Sequence, residues 1–160
     1  MSLDLRHLRV LLATEARRVL RAFLATHPDT PLTALGFVFT LYNASPQLDL
    51  CAHTTALAED DEERWNSGDY DFPAGLTGAS GELGPAVLAE VARLHALAAT
   101  EPPRGPAYQG LVALCGAVLL DLRADGLVPS CIDLNVAEVG DDVDIVASRH
   151  AALVAGVWSA

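Results

Sequence analysis

The stretch from Leu35 to Tyr70 constrains the fold more than any other part of this chain. Phe37, Phe39 and Leu41 alternate with Val38, Thr40 and Tyr42, and β-branched and aromatic residues suit a strand. Asn43-Ala44-Ser45-Pro46 supplies turn chemistry. Leu48-Asp49-Leu50-Cys51-Ala52-His53 then reads as the returning strand. The spacing therefore predicts a β-hairpin over residues 35–54. An acidic run from Glu59 to Glu63 and the triplet Arg64-Trp65-Asn66 follow it.

The flanking segments have a different period. Leu5, Leu8, Leu12, Ala16, Val19 and Phe23 recur at three- and four-residue steps, with Arg6, Arg9, Arg17 and Arg21 on the other face. This predicts an amphipathic helix over 3–26, capped by Ser2 and ended by His27-Pro28-Asp29. Residues 66–84 carry five glycines and Pro73 and read as a loop, long enough to be functional or mobile. Helical periodicity returns over 85–125, broken by Pro102-Pro103-Arg104-Gly105-Pro106 and stopped at Gly126. Over 131–148, Cys131 to Val136 and Val143 to Val146 alternate around Gly140-Asp141-Asp142, which predicts a second hairpin. A short helix is expected from Arg149. The order implies a single α+β domain over 1–160: a four-stranded, mostly antiparallel sheet of two hairpins with helices packed on it.

Charge and composition exclude several classes of function. The chain of 160 residues has a net charge of −11. That argues against nucleic acid and against an anionic membrane surface, both of which need clustered positive charge. The apolar run Leu111–Leu120 is far shorter than the roughly 20 residues of a membrane span, so it reads as a core helix. Cys51, Cys115 and Cys131 are odd in number and widely spaced, which suggests buried, reduced thiols in a cytoplasmic protein. The start, Met1-Ser2-Leu3-Asp4, does not read as a secretory signal.

The N-terminal helix, Gly36-Phe37-Val38-Phe39-Thr40, Leu48-Asp49-Leu50 with Thr54, Arg64-Trp65-Asn66 and the late acidic hairpin together carry a family resemblance. The chain resembles the uncharacterised bacterial family labelled domain of unknown function 4303. The resemblance covers most of the chain in order, through short motifs. It implies an α+β domain of bacterial origin and carries no catalytic residues across.

Motifs with chemical potential reduce to simpler readings. Thr77-Gly78-Ala79-Ser80-Gly81-Glu82-Leu83-Gly84 looks like a dinucleotide-binding turn. Glu82 would repel phosphate, however, and no buried strand precedes it, so no nucleotide cofactor is expected. The acidic run Glu59-Asp60-Asp61-Glu62-Glu63 lacks the alternating spacing of a calcium loop and reads as a solvated face. Turn chemistry accounts for Asp141, Asp142 and Asp144. No pair among His7, His27, His53, His95 and His150 has metal-ligand spacing. No catalytic, cofactor or metal residue is therefore assigned.

Two functional classes remain. The first is a non-enzymatic protein-binding module, partnered by another protein or by itself as a dimer. Its interaction surface is expected at Glu62, Glu63, Arg64, Trp65 and Tyr70, with Trp158 as a docking element. The second is a small-molecule-binding or enzymatic domain built on the 66–84 loop and His53. The missing catalytic signal favours the first.

Overall fold

The computed structural model describes residues 4–55, 83–139, 149–150 and 152–153. The elements in chain order are α1 (Leu5–Thr26), β1 (Ala34–Thr40), β2 (Gln47–His53), α2 (Pro85–Ala98), α3 (Pro106–Ala124) and β3 (Asp133–Glu138). Arg149, His150, Ala152 and Leu153 are also helical. The fold is a mixed α+β domain.

Helix α1 forms for the reasons its period suggests, but its start is set by Asp4 rather than Ser2. The Asp4 carboxylate accepts the backbone N–H groups of Arg6 at 3.0 Å and His7 at 3.1 Å, satisfying donors that no helical carbonyl can reach. Leu8, Leu12, Ala16, Val19 and Phe23 are buried on one face. At the other end, Pro28 keeps His27 out of the helical region, and the His27 N–H closes back on the Phe23 carbonyl.

Helix α3 ends as the sequence suggests. Gly126 has φ of +73°, and its N–H meets the Arg123 carbonyl while the Leu127 N–H meets that of Leu122. This is a Schellman motif, and only glycine adopts its left-handed position without cost. Leu41, Leu48, Leu50, Leu134 and Val136 belong to one apolar core with residues of α1, α2 and α3.

The expected four-stranded, mostly antiparallel sheet of two hairpins is corrected. Among the described residues the sheet has three strands, in the order β2-β1-β3. The first hairpin is present: β1 and β2 pair antiparallel from Ala34↔His53 to Thr40↔Gln47. Strand β3 instead lies on the other side of β1 and runs parallel to it, from Ala34↔Asp133 to Phe39↔Glu138. The last residue of β2 and the first of β3 both lie beside Ala34, so the segment containing α2 and α3 returns the chain to the end of the sheet it left. A parallel neighbour is the result.

Among the described residues, side chains rather than a further strand meet the outer edge of β3. Asp133 and Val139 donate their N–H groups to the Thr33 and Phe39 carbonyls, so odd-numbered residues of β3 face β1. The even-numbered carbonyls point outward, and side chains already occupy them. Arg123 Nη2 donates to the Ile132 carbonyl at 2.6 Å, His150 Nδ1 contacts that of Leu134, and Arg149 Nε donates to that of Val136 at 2.6 Å. The segment Val143 to Val146, expected as the fourth strand, lies outside the described residues.

Strand β1 also departs from a half-buried pattern, since all seven of its residues are buried. Leu35, Phe37 and Phe39 join the helix-side core. Val38 and Cys51 form a second, small cluster on the opposite face.

Candidate functional site

The opposite face of the sheet is where the structure places His53. Directly paired residues share a face and alternate along each strand. One row across the sheet is therefore His53, Ala34 and Asp133, and the next is Cys51, Gly36 and Asn135. The small central residues Ala34 and Gly36 form the floor of a trench. His53 and Cys51 flank it on β2, and Asp133 and Asn135 flank it on β3. With neighbouring strands about 4.8 Å apart, the flanking backbones stand roughly 10 Å from each other.

These residue types can serve a nucleophile and its base, but burial decides against that here. Cys51 and Asn135 are fully buried and His53 nearly so. A thiol without access behaves as a small apolar group, consistent with the packing of Cys51 on Val38. Asp133 is also drawn toward His150, whose Nε2 lies 3.4 Å from its carboxylate. Among the described residues, no group of three or more His, Cys, Asp or Glu side chains could hold a metal ion. The trench reads as polar core.

A different concavity lies on the surface where α1 meets α3. It encloses about 260 Å³ and is lined by Leu5, Arg6, Arg9, Gly110, Ala113 and Leu114. The contacts between these helices rise in number along both: Leu5 meets Gly110, Arg9 meets Asp121, and Arg17 meets Asp125. The helices therefore run in the same direction. Small residues at 110 and 113 let the N-terminal turn of α1 approach closely; a Cβ on Gly110 would stand 3.2 Å from Leu5 Cδ1.

The electrostatics of α1 are more structured than an arginine face in solvent. Arg9 pairs with Asp121 at 3.0 Å and Arg17 with Asp125 at 2.6 Å, tying α1 to α3. Arg18 pairs with Glu15 at 2.7 Å, and Glu15 also accepts the Gly84 N–H at the start of α2. The Arg18 guanidinium holds the Glu15 carboxyl below its ordinary value; burial opposes it as the next largest effect, and the Gly84 amide adds a lesser lowering. Arg6 and Arg21 make no ion pair among the described residues. Arg6 thus brings an uncompensated positive charge to the rim of the groove. Leu5 is 39% exposed beside it, and Val10 nearby is 64% exposed.

The interaction surface expected at Glu62, Glu63, Arg64, Trp65 and Tyr70 lies outside the described residues, as do Ser80, Glu82, Asp141, Asp142, Asp144 and Trp158. The thiols divide in a way the sequence did not separate. Cys51 and Cys115 are buried, but Cys131 is exposed, which corrects the expectation of three buried cysteines. Desolvation raises the pKa of the Cys115 thiol strongly.

Sequence reasoning singled out His53 but not Asp133 or Asn135 beside it. Only the parallel register joins them, and a local pattern does not encode it. The groove had no distinct signal, since Gly110 and Ala113 are two of several small residues on α3, with Ala107, Gly116 and Ala117 among the others.

Compared with family models, with curated proteins and with solved structures, the chain matches none of them.

Proposed function

We propose that this chain is a non-enzymatic protein-binding module, and that its α1–α3 groove takes a partner segment carrying an apolar side chain next to a carboxylate. The observation that carries the reading is Arg6 at the rim. It is a guanidinium without an ion pair among the described residues, set beside the exposed Leu5 and a floor of Gly110, Ala113 and Leu114. Arginine beside apolar surface is favoured at binding hot spots. The chain as a whole is acidic, with a net charge of −11, so this end of α1 is a local positive field that steers an acidic segment.

A bacterial, cytoplasmic protein is part of the same proposal, together with membership of the family of domain of unknown function 4303. Buried thiols at Cys51 and Cys115 support the location. Helix α3 has the length and composition of a membrane span, but 61% of that window is buried inside the domain. The burial supports its reading as a core helix. The alternative, a small-molecule site at His53, is disfavoured by the burial of the trench around it.

The test is fluorescence anisotropy with a labelled peptide alternating leucine with glutamate, against a matched peptide alternating leucine with lysine. The acidic peptide should bind saturably in the micromolar range and the basic one should not. Arg6→Glu should weaken binding by about tenfold or more, a change of roughly 1.4 kcal/mol. Arg21→Glu, the same charge change away from the groove, should leave binding within about twofold at physiological salt, where the Debye length is about 8 Å. Equal loss in both variants would reduce the effect to net charge and remove the groove from the account.

A further inference from the structure

The α1–α3 groove is small, and its charge is concentrated on one side chain. Its volume of about 260 Å³ is below the roughly 300–1,000 Å³ of sites that enclose a drug-sized ligand. It has room for one side chain and a small polar group, not for a stretch of chain. Leu5, Arg6 and Arg9 are exposed and Gly110 and Ala113 partly so, which leaves the mouth accessible from solvent. Of the two guanidinium groups on its wall, that of Arg9 is engaged, with Nε and Nη2 both donating to the Asp121 carboxylate. The Arg6 side chain makes no ion pair among the described residues. The N-termini of α1 and α3 lie at this same end, and carboxylates already meet both. Asp4 accepts the N–H groups of Arg6 and His7, and Glu101 accepts that of Ala107 at 2.7 Å. An incoming anion is therefore left with the Arg6 guanidinium.

Resting on the protein-binding reading of this groove, we propose that it recognises the C-terminus of a partner chain. The partner's last side chain, apolar, enters between α1 and α3, and its terminal carboxylate pairs with Arg6. The apolar walls of Leu5, Ala113 and Leu114 and the Arg6 guanidinium line one small cavity, so an apolar group and a carboxylate must arrive there together. A C-terminal residue carries both on a single Cα. In an extended segment successive side chains point to opposite faces. An internal glutamate beside a leucine thus directs its carboxylate away from the wall that takes the leucine, and reaches Arg6 only by bending back. The two oxygens of a carboxylate also match two N–H groups of the guanidinium fork. Arg6 is exposed, and an exposed ion pair is weak by itself. The side chain seated in the groove is what holds the pair in place, so recognition needs both groups.

The experiment is fluorescence anisotropy on the full chain with three N-terminally labelled leucine–glutamate peptides. The reference peptide ends in leucine with a free carboxylate. The second ends in leucine amide and carries one further glutamate near its N-terminus, so that the net charges are equal. The third ends in glycine with a free carboxylate. The reference should bind about fivefold or more tightly than the amide, and about tenfold or more tightly than the glycine peptide. In Arg6→Gln, checked for folding by circular dichroism, acid and amide should bind within about twofold of each other, while the preference for leucine over glycine persists. An amide that binds as tightly as the acid, with both weakened by Arg6→Gln, overturns C-terminal recognition and leaves the groove as a site for internal carboxylates. A preference for the acid that survives Arg6→Gln also overturns it, because the carboxylate is then held elsewhere. If none of the three peptides binds saturably, the protein-binding reading of the groove fails together with it.

Discussion

The Glu15 carboxylate joins α1 to the start of α2, and removing it should cost stability by a calculable amount. Glu15 Oε2 accepts the Gly84 N–H at 2.9 Å and receives Arg18 at 3.0 Å from Nε and 2.7 Å from Nη2. Gly84 is the N-cap residue of α2, and Glu15 of α1 satisfies its own backbone N–H. Loss of a hydrogen bond of this kind costs about 0.5–1.5 kcal/mol. The Arg18 pair is near the surface, with side-chain exposures of 48% and 23%, and is worth a few tenths of a kcal/mol. Glu15→Ala should therefore destabilise by about 1–2 kcal/mol, lowering Tm by roughly 3–6 °C for a chain of this size. Gly84→Ala should act through the same contact, because its Cβ would stand 2.9 Å from Glu15 Oε2 and push the carboxylate away. Urea unfolding of both single variants and the double should show a coupling of about 0.5 kcal/mol or more. Strict additivity, or a Glu15→Ala variant within 0.3 kcal/mol of wild type as an approximate limit, would refute the reasoning. The pH dependence supplies a second check. A carboxyl whose folded pKa is lowered contributes stability that is present above its unfolded value and drains away as pH falls through the folded one. The advantage of wild type over Glu15→Gln should thus be flat from about pH 7 to 5 and close below about pH 4.

Three further outcomes follow from burial and backbone geometry. Leu12→Ala, at a fully buried position on α1, should cost about 2–5 kcal/mol in urea unfolding. Gly126→Ala adds a Cβ that meets nothing within 4 Å but sits at φ of +73°, so thermal unfolding should show a loss of about 1 kcal/mol from backbone strain alone. In native protein, Cys131 should react with a thiol-titrating disulfide reagent while Cys51 and Cys115 wait for unfolding; peptide mapping of the labelled chain identifies which thiol reacted.

Features set by local chemistry were legible in the sequence. The face of α1 from Leu8 to Phe23, the hairpin around residues 41–46, Pro85 opening α2 and Gly126 closing α3 each depend on neighbours a few residues away. The start of α1 was misread because Ser2 and Asp4 are both good caps, and spacing alone did not choose between them. The placement of β3 was misread for a deeper reason. Alternation over residues 133–138 is the same beside a parallel or an antiparallel neighbour. Its direction depends on where α2 and α3 return the chain, a long-range property. The same gap hid the row linking His53 to Asp133. Arg9 and Arg17 looked like a solvated face because their partners, Asp121 and Asp125, are distant in sequence.

The central claim, that the α1–α3 groove is the protein-docking site, is tested most directly by a heteronuclear NMR titration of the labelled chain with the leucine–glutamate peptide. The account predicts saturable amide shifts concentrated at residues 5–10 and 109–114, absent in Arg6→Glu. Shifts concentrated instead around Ala34, Gly36, His53 and Asn135, with residues 5–10 unmoved, would contradict it and return the His53 trench to the front.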